Sequence, residues 1–219
     1  MSGYIVKDTG GGQEFEPVPS GLQHAVCYGL IDIGTQPQFG NYPSRRKTIM
    51  IWELPMIRGE FEKDGVKKSL PRAISEKFTA SLSSKGNLRP FLESWRGREF
   101  TEDELKGFDL SKVVGANCYL NVIHKKGKGE KANRTYSNIG SISPLPHGTK
   151  SIKPENPPVV FHMDDFKGLI TIPDGIPEWI QALIKQSDEY QARNGQGHQP
   201  PPNTAAERSQ ENLDEDVPF

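Results

Sequence analysis

Histidines, cysteines and clustered carboxylates are the residues here with the most direct claim to chemistry, and their spacing assembles no common catalytic set. His24, His124, His147, His162 and His198 lie scattered, with no HxxxH or HExxH pair, and Cys27 and Cys118 have no neighbour at metal-ligand spacing. In "HMDD" Asp164 and Asp165 follow His162, and with Asp174 they are the compact carboxylates that a metal-dependent nuclease or annealing enzyme would need. The phosphate-loop spacing GxxxxGK[ST] and the nucleophile motif GxSxG are both missing. The expectation is therefore a chain without catalytic residues, bound metal or cofactor. Its two cysteines are expected to act as small buried hydrophobes.

Cations beside aromatics offer a different chemistry. Lys125, Lys126, Lys128, Lys131 and Arg134, offset by Glu130, place a net +4 within ten residues. Such a loop can follow several phosphates, and Gly127 and Gly129 let its backbone adjust to an irregular strand. A second basic knot is Arg45, Arg46 and Lys47. Tyr119 and Tyr136 flank the first, while Tyr28, Phe39, Tyr42 and Trp52 flank the second. Aromatics next to cations suit sequence-tolerant binding of single strands, because every base has a face to stack on. Trp52 and Tyr28 lie in apolar stretches, where packing in a core competes with that role. A charged hairpin loop can also be plain solvated surface, which would suit a protein-interaction adaptor without nucleic-acid affinity.

Strands must position these groups. "HAVCYGLIDIG" reads as a strand with Ala25, Cys27, Ile31 and Ile33 on one face and Val26, Tyr28 and Leu30 on the other. "RRKTIMIWEL" puts Ile49 and Ile51 opposite Met50, Trp52 and Leu54, with Pro55 ending it. "EFEKDGVKKS" reads as a charged hairpin or loop, and "AISEKFTASL" as a third strand with Ile74, Phe78, Ala80 and Leu82 in phase. A helical insertion follows. Leu88, Phe91, Leu92 and Trp95 fall on one stripe, and "TEDEL" carries a Thr101–Glu104 capping pair. "ANCYLNVIH" alternates most clearly, with Ala116, Cys118, Leu120 and Val122 inward and Asn117, Tyr119 and Asn121 outward. With "RTYSNIGSIS" it forms a hairpin around the basic loop. A Pro-rich surface loop, a short strand "VVFHM" and an amphipathic helix follow. That helix places Ile176, Trp179, Ile180, Leu183 and Ile184 on one stripe, with Asp174 as its cap.

Composition divides the chain further. Residues 1–20 read as a flexible arm, 21–187 as the folded domain, and 188–219 as a disordered linker ending in an acidic tip. The last segment holds two basic and seven acidic residues, a balance of −5, which leaves +4 on the preceding 187 residues. No apolar run approaches the ~18 residues that span a bilayer. The first residues lack a basic start followed by an apolar stretch, so an intracellular protein without membrane contact is expected. Val217, Pro218 and Phe219 add nothing to solubility. With Asp214, Glu215 and Asp216 they suit capture by a partner's apolar pocket ringed by cations.

That ending resembles the acidic tip of bacterial-type single-stranded-DNA-binding proteins, which end in aspartates followed by Ile-Pro-Phe; here Glu215 stands among the aspartates and Val217 replaces Ile. The resemblance implies that Phe219 anchors the tip in replication, recombination or repair proteins. Residues 22–145, above all "FLESWRG", "FTEDELKGFDL" and "GANCYLNVIH", resemble bacteriophage single-stranded-DNA-binding proteins of the oligonucleotide/oligosaccharide-binding (OB) fold. This implies a mainly β chain: a five-stranded barrel with a helical insertion and a C-terminal helix. It further implies non-specific binding and protection of single-stranded DNA in the host cytoplasm, by a monomer or dimer. The preference between DNA and RNA stays open.

Overall fold

The computed structural model describes residues 16–38, 40, 43–63, 66–129 and 132–195. Five antiparallel strands form one curled sheet in the order β3-β2-β1-β4-β5: β1 Gly21–Gln36, β2 Arg45–Lys63, β3 Val66–Thr79, β4 Asn117–Lys126 and β5 Thr135–Ser143. A short sixth strand, β6 Val159–Phe161, runs parallel to β1. Edge strands β3 and β5 approach to within 8 Å between Cα atoms, so the sheet is a half-barrel.

β1 organises this sheet. Its first part pairs with β4 along Gly21–Val26, while Val26–Gln36 pairs with β2. The register slips at Cys27/Gly29 and again at Asp32/Gly34. A bulge bends its strand and shifts the side-chain phase by one. The expected grouping of Ala25 and Cys27 with Ile31 and Ile33 is therefore wrong. Ala25, Cys27 and Leu30 fill the barrel, whereas Ile31 and Ile33 face outward into a second core.

β2 keeps the expected alternation. Met50, Trp52 and Leu54 point into the barrel and Ile49 and Ile51 away from it. Pro55 does not end the strand, because Leu54 pairs with Arg72 and Arg58 with Pro71 across a register shift that accommodates it. The pairing then continues to Lys63 and Val66, so much of the expected charged loop is ribbon. β3 stops at Thr79, leaving Ala80 and Leu82 outside it.

Helix α1, Leu88–Arg96, buries Leu88, Leu92 and Trp95 in the barrel core. Gly97 ends it with φ 67°, a left-handed conformation that glycine adopts without a Cβ clash. The Trp95 indole N–H donates to the Asn117 carbonyl at 3.1 Å, which ties the helix to the start of β4. Helix α2, Glu102–Lys106, has the expected reciprocal capping between Thr101 and Glu104.

A C-terminal layer covers the outer face of β1 and β2. Helix α3, Glu178–Gln186, presents Ile180 and Ile184, which join Ile31, Ile33 and Ile49 in the second core. Burial on both faces explains why β1 and β2 are so continuously apolar. Pro177 stands at the N-cap of α3 in place of Asp174, and Trp179 is 49% exposed instead of lying on the buried stripe. A further helix, α4 Asp188–Asn194, lies where the linker was expected to begin. The Ser187 hydroxyl caps it, and the Glu189 carboxylate accepts from the Thr35 N–H and hydroxyl at 2.6 and 2.7 Å. Arg193 donates to the carbonyls of Met163 and Phe166. These polar contacts hold a segment that has little apolar area of its own.

Candidate nucleic-acid interface

Alternation on β4 sends Cys118, Leu120 and Val122 inward and leaves Tyr119, Asn121, Ile123 and Lys125 on the opposite face. β5 adds Tyr136, directly opposite Lys125, and Asn138, opposite Ile123. On the other side of β4, His24 pairs with Tyr119 and Leu22 with Asn121. One sheet face thus carries His24, Tyr119 and Tyr136 among apolar and amide side chains, with the basic loop at its end.

The geometry of His24 is built from its neighbours. The Asn117 side-chain amide pairs with Ile152, its nitrogen donating to the Ile152 carbonyl and its oxygen accepting from the Ile152 N–H. That fixes the amide orientation, so the His24 Nε2 contact with Asn117 Oδ1 at 2.9 Å requires the proton on Nε2. His24 is thereby held with its ring centroid 5.5 Å from that of Tyr119, tilted by 51°. Leu22 is 64% and Tyr136 41% exposed. The sequence alone does not place Leu22 and His24 on this face; the alternation of β1 does so only through its pairing with β4.

Lys125, Lys126, Lys128 and Arg134 lie at the end of the β4–β5 hairpin, all exposed. Lys126 alternates to the other side of β4 from Lys125. Lys131 and Tyr42 fall outside the described residues, as do Asp214, Glu215, Asp216, Val217, Pro218 and Phe219.

The second basic knot does not join this face. Arg45 pairs with Gln36 and Lys47 with Gly34, whereas β4 pairs with Gly21–Val26. Along β1 the two sites are separated by on the order of 40 Å of strand. Arg46 is also committed: its guanidinium bonds the buried Asp32 carboxylate and meets Asp164 at 2.9 Å. Asp32 in turn accepts the N–H groups of Gly34 and Met163, so the pair fastens β6's following turn to the barrel rim. Arg46 holds the Asp164 carboxyl below the usual range.

Trp52 is a correction. It is fully buried, with its ring 5.6 Å from Phe91 and 5.7 Å from Trp95, and it has no face for a base. Between Met50 and Leu54 the even-numbered positions of β2 are those that point into the barrel. Tyr28 is partly buried against the second core, and burial raises its pKa, with the nearby Glu53 adding to the shift.

No family model, curated relative or solved structure matches the chain. Its own geometry must therefore carry the functional reading. The carboxylates considered for metal chemistry are not gathered into a site: among the described residues no three His, Cys, Asp or Glu side chains converge. Both cysteines are buried, as expected.

Proposed function

We propose that the chain binds single-stranded DNA without sequence preference, along the outward face of the beginning of β1, of β4 and of β5, and the basic loop of the β4–β5 hairpin. The observation that carries this reading is a spaced row on one sheet face: His24 beside Tyr119 and, about 20 Å further along β4, Tyr136 opposite Lys125. Aromatic faces can stack on any base while the cations follow the phosphates. A duplex keeps its bases stacked internally, so such a row favours single strands.

The finer architecture is proposed as an OB fold. It is supported by β1 lying between β2 and β4, by β3 and β5 at the two edges, and by helix α1 between β3 and β4 filling the barrel. The biological setting we propose is phage DNA replication, recombination or repair in the host cytoplasm. Residues Asp214–Phe219 would recruit the enzymes of those processes, a role that rests on the resemblance of that ending.

The test is fluorescence anisotropy of labelled oligo-dT and a matched duplex across several salt concentrations, with the full chain and with a chain ending at Gln210. Salt-sensitive preference for oligo-dT, kept or strengthened by the truncation, is the expected result. Absence of binding by both proteins refutes the reading and leaves the adaptor role.

A further inference from the structure

A cleft of about 470 Å³ opens at the mouth of the half-barrel, away from the face just described. Three parts of the chain meet there: the barrel rim, the segment following α2, and β6 with its turn. Its volume lies within the range of about 300–1,000 Å³ that suits a bound side chain or small ligand.

The lining combines apolar side chains with acidic ones. Buried Leu30 and Phe161 are flanked by Phe108 and by Val160, which is 52% exposed. Of the charged groups, Asp32 and Arg46 neutralise each other. Asp109, before the Leu110–Val113 turn, and Asp165, after β6, also line the cleft, with Lys112 offsetting part of the Asp109 charge. The Asp165 carboxylate has no partner among the described residues, and Asp109 accepts the Ser111 N–H. An apolar lining whose unpaired charge is the Asp165 carboxylate, with Asp109 partly offset, disfavours a phosphate chain and favours a cationic one.

We propose that this cleft docks a basic segment of a partner protein, with one apolar side chain held between Phe108 and Val160 and flanking lysines or arginines facing Asp109 and Asp165. The chain would then have a protein-binding surface on its folded body, separate from its acidic tip and independent of the nucleic-acid reading. The apolar residue supplies contact area, and the charges supply partner choice and rate of encounter.

The test uses the full chain and two labelled peptides, acetyl-Lys-Lys-Phe-Lys-Lys-amide and its glutamate counterpart, with labelled oligo-dT as a third probe. Asp165→Lys and Val160→Glu alter exposed side chains, and their melting temperatures check that they fold. The lysine peptide should bind the parent chain, and each substitution should weaken it about tenfold, more so at low salt. The glutamate peptide should not bind, and oligo-dT affinity should stay the same. Lysine-peptide binding untouched by both substitutions would put the peptide on the acidic C-terminal residues and overturn the proposal. A tenfold loss of oligo-dT binding in Val160→Glu would assign the cleft to nucleic acid and also overturn it.

Discussion

Replacing Tyr136 with alanine separates stacking from packing. The ring is 41% exposed and belongs to neither core, so its loss should change stability by no more than about 0.5 kcal/mol. If the ring carries a base, the same change should weaken oligo-dT binding by about 1–3 kcal/mol, or roughly 5- to 150-fold. The neighbouring Lys125 offers an independent measurement on the same cross-strand pair. If Lys125, Lys126, Lys128, Lys131 and Arg134 each meet a phosphate, log K should fall against log[salt] with a slope of about −3.5, and Lys125→Gln should reduce its magnitude by about 0.7. Tyr136→Ala should leave that slope alone, because a stacked base releases no counterion. Anisotropy titrations at four or five salt concentrations, paired with thermal melts, measure both quantities. Unchanged affinity in a fully folded Tyr136→Ala protein, with an unchanged slope in Lys125→Gln, would refute the placement of DNA on this face.

Three further outcomes follow from polar groups in the fold. Glu53 is fully buried, and its carboxylate accepts the N–H groups of Glu155 and Asn156 and the Asn156 side-chain amide at 2.6–2.9 Å; Glu53→Ala should cost about 3–5 kcal/mol in urea unfolding and expose the 144–158 loop to proteolysis. The Asp164 carboxyl is lowered by Arg46, and that of Glu189 is lowered because hydrogen bonds from Thr35 outweigh the upward push of burial. Lowered folded-state values stabilise fully above the ordinary carboxylate range of about 4 and fade as pH falls through them, so urea midpoints should hold down to about pH 5 and then drop; a profile just as steep in the Asp164→Asn, Glu189→Gln double variant would contradict this. Burial pushes Cys27 up to about 12 and raises Cys118 as well, so at pH 8 a thiol reagent should label the native chain only as fast as it unfolds, whereas rapid native labelling would show these sites to be accessible.

Which parts of this fold were legible depends on how far each signal extends along the chain. The alternation of β4, the stripe of α1 and the Thr101–Glu104 cap are local patterns, and each stands in the structure where its residues place it. The face assignment of β1 failed because a bulge is a property of two paired strands. Nothing between Cys27 and Gly29 in the sequence alone announces that Ile31 will turn outward. The same limit applies to α4: its few apolar residues argue for disorder, but its order comes from Thr35, Met163, Phe166 and Ile170, all distant in sequence. The candidate interface divides along this line. Tyr119 and Lys125 could be placed outward by strand phase, and that phase also buries Trp52 once Met50 and Leu54 are taken as core. His24 could not be found without the β1–β4 pairing, which brings it from 95 residues away to the side of Tyr119. Arg46 needed the partners Asp32 and Asp164 before its charge could be counted as spent within the protein, leaving the β4–β5 hairpin as the basic element beside the aromatic row.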